Sequence, residues 1–170
     1  SDGASYEYDR NGDDEPDAVV FSHDNLIFEG DGRLRVIGNY QEGIRGKDDV
    51  TIRSGILEIE AVNDGIKGKD SVEIEGGTIT VTAGGDGVQA SNDSDAEKGY
   101  VRITGGGLSI DAAEKGIKAE TLAEITDGVL DVAAGDDAVH SNGDIRISGG
   151  RLALRSGDDG VHADQSLSVS

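Results

Sequence analysis

The sequence predicts an all-β chain wound as a right-handed parallel β-helix, a single-stranded β-solenoid of about 22 residues per coil, and three observations carry that expectation. The chain repeats on itself at a fixed interval. Within each repeat, three short runs alternate apolar and polar residues. Glycine supplies 27 of the 170 residues, while proline occurs once and cysteine, methionine and tryptophan not at all.

The interval is read from the corner pairs Glu42-Gly43, Asp64-Gly65, Asp86-Gly87, Lys115-Gly116, Asp137-Ala138 and Asp159-Gly160, which are evenly spaced apart from one longer step between Asp86 and Lys115. Self-similarity at a fixed period of this size is the mark of a solenoid. The long step holds seven extra residues, Asn92 to Lys98, which read as a loop insertion.

The first run of each unit is Val50-Thr51-Ile52, Val72-Glu73-Ile74, Val101-Arg102-Ile103 and Ile145-Arg146-Ile147. The second is Leu57-Glu58-Ile59, Ile79-Thr80-Val81, Leu108-Ser109-Ile110, Leu130-Asp131-Val132 and Leu152-Ala153-Leu154. Period-two alternation describes strands with one buried face. Gly76-Gly77, Gly105-Gly106 and Gly149-Gly150 separate these two runs and provide positive φ at a tight corner. The third run is short: Ile44-Arg45-Gly46, Ile66-Lys67-Gly68, Val88-Gln89-Ala90, Ile117-Lys118-Ala119, Val139-His140-Ser141 and Val161-His162-Ala163.

Three strands and three corners make one coil, each strand pairing with its counterpart in the next. The right hand follows from the preference of parallel crossovers. Coils stacked about 4.8 Å apart make a rod roughly 30 Å long. Residues 1 to 17 are polar and read as an irregular N-terminal strap or cap, and residues 18 to 170 as the β-helix. The final Leu167-Ser168-Val169-Ser170 falls inside a first strand, so the native chain is expected to continue.

Thirty-five acidic against fifteen basic residues leave a formal charge of −20. That field repels phosphate backbones and anionic headgroups, which argues against nucleic acid and membrane surfaces as partners. No apolar run approaches the ~18 residues of a membrane span, so no membrane insertion is expected in this segment. Dense carboxylates without cysteine lean toward a calcium-rich extracellular setting.

In a solenoid, chemistry is read down columns. The corner column holds Asn63 and Asp64, then Asp86, Lys115, Asp136 with Asp137, and Asp158 with Asp159. Carboxylates stacked at coil spacing call for cations between them, and oxygen-only donors favour Ca2+. Lys115 divides the column into one candidate site near Asp64 and Asp86 and a stronger one near Asp137, Asp158 and Asp159. The alternative is that these acids are turn formers that keep the rod soluble. The insertion is a third candidate, since Asn92, Asp93, Asp95 and Glu97 crowd it, with Asp93 and Asp95 as further candidate ligands, although their spacing matches no EF-hand and the alternative is a merely solvated loop.

The second column is the middle residue of the third strand: Arg45, Lys67, Gln89, Lys118, His140 and His162, after Phe21. Flanking apolar residues point inward, so these side chains are expected to face solvent. They suit a polymer carrying carboxylates and hydroxyls, or else they form salt bridges with the acid column.

The units GIRGKDDVTIRSGILEIEAVNDGIKGKDSVEIEGGTITVTAGGDGVQASND and EKGYVRITGGG resemble the carbohydrate-binding β-helix family of cell-surface proteins from biomass-degrading bacteria, over residues 18 to 170. The resemblance implies an exported, surface-attached, non-catalytic module that binds calcium and plant cell-wall polysaccharides such as cellulose and polygalacturonate. The family is similar in shape to family 9 pectate lyases, in which an aspartate on one coil and an Asp-Asp-Gly-x-Asp motif on the next hold calcium. By that likeness Asp137, Asp158 and Asp159 would be ligands, with His162 standing where the motif ends in aspartate. Two alternatives remain: a calcium-dependent polyuronate lyase, with Lys67 or Lys118 as its base, and a structural stalk of the adhesin type.

Overall fold

The computed structural model describes residues 18–170, in which every regular element is a strand; the expected strap over residues 1 to 17 lies outside the described residues. The first coil comprises β1 (Ala18–Ser22), β2 (Leu26–Phe28) and β3 (Arg33–Gly38), and the second β4 (Glu42–Gly46), β5 (Asp49–Ile52) and β6 (Ile56–Ala61). The third is β7 (Ile66–Gly68), β8 (Ser71–Ile74) and β9 (Thr78–Ala83), and the fourth β10 (Val88–Ala90), β11 (Tyr100–Ile103) and β12 (Gly107–Ala112). Then come β13 (Ile117–Ala119), β14 (Leu122–Ile125) and β15 (Val129–Ala134), followed by β16 (Val139–Ser141), β17 (Asp144–Ile147) and β18 (Arg151–Ser156). The last described strands are β19 (Val161–Ala163) and β20 (Leu167–Val169).

Every third strand joins one sheet, giving the orders β1-β4-β7-β10-β13-β16-β19, β2-β5-β8-β11-β14-β17-β20 and β3-β6-β9-β12-β15-β18, all parallel. The fold is the right-handed parallel β-solenoid that the repeat predicts. Register holds through the insertion: Ile44 pairs with Ile66, Ile66 with Val88, Val88 with Ile117, Ile117 with Val139 and Val139 with Val161. The seven extra residues therefore bulge between β10 and β11 without shifting a side chain to the wrong face.

The core is a stack of β-branched side chains. Ile52, Ile74, Ile103 and Ile125 lie one above another and are fully buried. Each such side chain contributes about 1.5–3 kcal/mol on leaving water, so the rod is held by repetition of one modest contact. Between β8 and β9 the chain turns on Gly77 at φ 92°, and between β11 and β12 on Gly106 at φ 89°, a region open to glycine at little cost. Among the described residues no helix is long and apolar enough to cross a membrane.

Candidate functional site

The corner before each third strand turns the chain out of one sheet and into another, so its amide leaves the regular ladder and needs an acceptor of another kind. The corner acid of the preceding coil provides one. Asp64 Oδ1 accepts the amide of Asp86 at 3.0 Å, Asp86 Oδ1 that of Lys115 at 3.0 Å, and Asp137 Oδ1 that of Asp159 at 3.0 Å. Asp64, Asp86 and Asp137 are accordingly buried. The corner column is first of all a set of side-chain caps running up the rod.

The remaining oxygen of each acid faces the residue three positions on, in the middle of the third strand. Arg45 donates to Glu42 at 2.9 Å and Lys67 to Asp64 at 2.8 Å, while His140 Nδ1 meets Asp137 Oδ2 at 2.9 Å. The two columns thus interlock. At Asp86 the residue three on is uncharged Gln89, and the ammonium of Lys118, one coil away at 3.6 Å, substitutes for it. Gln89 Oε1 is buried without a hydrogen-bond partner.

The expectation that this whole strip faces solvent is corrected at two positions. Gln89 and His140 are only 6% and 9% exposed. A three-residue strand holds the column close to the corner, and long neighbours one coil above and below cover it. Lys67, Lys118 and His162 are half-buried, His162 the most accessible of the three.

Electrostatics differ along the column. Burial pushes the Asp86 carboxyl above the usual carboxylate range, only partly opposed by the Lys115 amide and the Lys118 ammonium. Burial acts upward on Asp137 as well, but the Asp159 amide and the imidazoles of His140 and His162 outweigh it and hold that carboxyl low. Lys115 forms an ion pair with Asp136, and its ammonium is held above its ordinary range chiefly by that hydrogen bond.

Two groups of three donors, with ligand atoms within 4.8 Å of one another, occur among the described residues: Asp136, Asp137 and Asp158, and Asp137, His140 and His162. Asp64 and Asp86 belong to neither. Asn63 Nδ2 donates to Gln41 Oε1 at the long distance of 3.5 Å. Asp159 is exposed and lies 3.4 Å from His162 Nδ1.

The insertion is organised by its first residue. Buried Asn92 accepts the amides of Ser94 and Asp95, each at 3.1 Å, and donates to Asp70 at 2.7 Å. Asp93 and Asp95 are exposed on the loop, and Asp95 Oδ1 accepts the amide of Glu97. Lys98 Nζ closes the loop onto Asp70 at 2.7 Å. Two clefts flank it, one of about 390 Å³ lined by Asp48, Asp49, Asp70, Glu97, Lys98 and Tyr100, the other of about 380 Å³ lined by Tyr100, Arg102, Asp144 and Arg146 among others. The sequence marks the insertion as a candidate, but not the clefts beside it, whose other walls come from neighbouring coils.

A carbohydrate-binding domain-containing protein of Acetivibrio thermocellus is 36% identical over 61 residues, which are 36% of this chain and 21% of that protein. A solved structure of a polysaccharide lyase-like protein from C. thermocellum, a gadolinium derivative, superposes with a TM-score of 0.80 at 33% identity over 93% of this chain. The chain spans about a fifth of the curated relative and 60% of the chain of that structure. The family of carbohydrate-binding domain-containing proteins matches residues 1–170, the whole length, and the chain belongs to it.

Proposed function

We propose that the chain is a calcium-binding, non-catalytic carbohydrate-binding module that works outside the cell, at a bacterial surface, on plant cell-wall polymers, with polygalacturonate and cellulose as its partners. The observation that carries this reading is the Asp136, Asp137 and Asp158 group, three carboxylates contributed by two successive coils. Three hard anionic oxygens that converge from buried to exposed suit Ca2+, which completes its shell of six to eight oxygens from water or ligand. An ion there bridges to uronate carboxylates and cancels the repulsion between a polyanion and a chain of charge −20.

Affinity electrophoresis through polygalacturonate tests this. Calcium should retard the native protein, and chelator or the pair Asp136→Asn with Asp158→Asn should release it. Retardation that survives both would remove these carboxylates from the binding surface. Cellulose binding should depend on calcium less, because a neutral glucan has no carboxylate to bridge.

The likeness to a polysaccharide lyase-like protein favours a second reading, a calcium-dependent polyuronate lyase. Its base would have to be Lys67, whose Nζ sits 2.8 Å from Asp64 and 3.9 Å from Glu42, or Lys118, 3.6 Å from Asp86. Proton abstraction needs a free lone pair, and these ammonium groups are engaged by carboxylates. Release of unsaturated uronate products, read by absorbance and lost in Lys67→Ala or Lys118→Ala, would decide for the enzyme.

A further inference from the structure

We propose that Asp137, His140 and His162, with Asp159 as an outer ligand, form a site for a borderline divalent transition ion of the zinc class, chemically distinct from the all-carboxylate calcium group. The sequence places Asp-x-x-His twice, one coil apart, at Asp137 to His140 and Asp159 to His162. The register of β16 and β19 pairs His140 with His162, which stacks the two imidazoles one coil apart with ring centroids 5.0 Å from each other. Both Nδ1 atoms turn toward one oxygen: Asp137 Oδ2 lies 2.9 Å from His140 Nδ1 and 3.5 Å from His162 Nδ1. Asp159 Oδ2 lies 3.4 Å from His162 Nδ1. A tetrahedral ion with nitrogen and oxygen ligands about 2.0–2.2 Å away sets those ligands roughly 3.3 Å apart, and the Asp137, His140 and His162 ligand atoms lie within 4.8 Å of one another, close enough for small side-chain shifts to close on an ion.

The far side of each ring supplies an independent observation. His140 Nε2 is 2.9 Å from Asn142 Oδ1, and His162 Nε2 is 3.3 Å from Asp164 Oδ1. The Asn142 amide is fixed in that sense because its Nδ2 donates to Glu120. Each Nε2 faces an acceptor, so in the tautomer protonated there each Nδ1 presents its lone pair toward the Asp137 carboxylate, and an ion would take the place of the Nδ1 proton. A cation at their meeting point satisfies all of these atoms, and hydrogen bonds to the outer nitrogen are the usual support of a metal-binding histidine.

Lower coils show why the ion belongs here and not elsewhere. Arg45 and Lys67 occupy the position of His140 and carry fixed positive charge onto Glu42 and Asp64. Imidazoles at the same rung bring lone pairs instead. Nitrogen donors suit zinc, copper and nickel and disfavour calcium. Asp159 is exposed and His162 only half-buried, which leaves a way in for an ion.

The test is calorimetric titration of the metal-free chain with Zn2+ and, separately, Ca2+, with Co2+ as the spectroscopic probe. One Zn2+ per chain is expected, and Co2+ should give the intense visible bands of a four-coordinate site. His162→Ala, at a half-buried position in the last described coil, and His140→Gln should each weaken Zn2+ by more than about tenfold. Asp158→Asn should leave Zn2+ affinity unchanged while weakening Ca2+. Absence of stoichiometric Zn2+ binding, or binding undiminished in His162→Ala, overturns the proposal. Equal loss in Asp158→Asn and His162→Ala also overturns it, by placing the ion among the carboxylates. The calcium reading fails separately, on the Ca2+ arm.

Discussion

The carboxylate of Asp64 divides its two oxygens between neighbouring coils and its own: Oδ1 accepts the amide of Asp86 at 3.0 Å, and Oδ2 takes the ammonium of Lys67 at 2.8 Å. One buried side chain therefore ties together two corners and a strand, and the same arrangement recurs at Asp137.

Removing it should expose the difference between the two roles. Asp64→Ala leaves the Asp86 amide buried without an acceptor and Lys67 without its partner, at a cost of about 2–3 kcal/mol. Asp64→Asn keeps the amide acceptor and should cost roughly half as much. Urea unfolding monitored by circular dichroism separates the two; equal losses would show that the cap contributes nothing.

Acid should affect Asp86 and Asp70 in opposite directions. The Asp70 carboxyl is held low: burial acts upward, but hydrogen bonds from Lys98 and Asn92 outweigh it. Its stabilisation is present above the unfolded-state value and is lost as pH falls through the lower folded-state value. Asp86, raised by burial, costs stability above its folded value and is relieved as pH falls. Asp70→Asn should therefore lower the melting temperature at neutral pH, and the difference from the native protein should shrink as pH falls through the lowered folded-state value. Asp86→Asn should melt at or above the native temperature at neutral pH and lose that advantage in acid.

The corner glycines should resist substitution in proportion to what faces them. A Cβ on Gly65 would lie 2.3 Å from Val81 Cγ1 and 2.7 Å from the carbonyl of Gly87. Gly43, Gly87 and Gly116 meet the branched carbons of Ile59, Ile110 and Val132 in the same way. Ala138 replaces the glycine in the one coil whose facing register position is Leu154, which carries no branch at Cβ. Gly65→Ala should cost about 1–3 kcal/mol by overpacking, and adding Val81→Leu should recover part of it. A double variant no better than the single would rule out this pairing.

Calcium should raise the melting temperature by several degrees in metal-free protein. Asp136, Asp137 and Asp158 bring three carboxylates together, and an ion that binds only the folded coils stabilises them by mass action. Asp158→Asn should abolish the shift. An unchanged melting curve for the native protein would count against the carboxylate group as a calcium site.

The sequence by itself determined the architecture, because a solenoid writes its fold as a period. The even spacing of the corner pairs and the alternation within Val72-Glu73-Ile74 or Leu108-Ser109-Ile110 specify coil length, strand count and buried face without any long-range contact having to be known. It also aligned the two columns that proved to interlock. What the period cannot encode is how side chains of adjacent coils divide their hydrogen bonds. That Asp64 and Asp86 spend their oxygens on backbone amides, that Lys118 reaches across to Asp86, and that Gln89 and His140 are covered were decided only when coils stacked. Asn92 is a similar case, since an exposed-looking insertion hides the one residue that folds it. The physical reason is common to all of these. Strand register follows from apolar periodicity over the whole chain, whereas the fate of a polar atom depends on a single partner within about 3 Å, and which partner comes that close is a property of the packed rod.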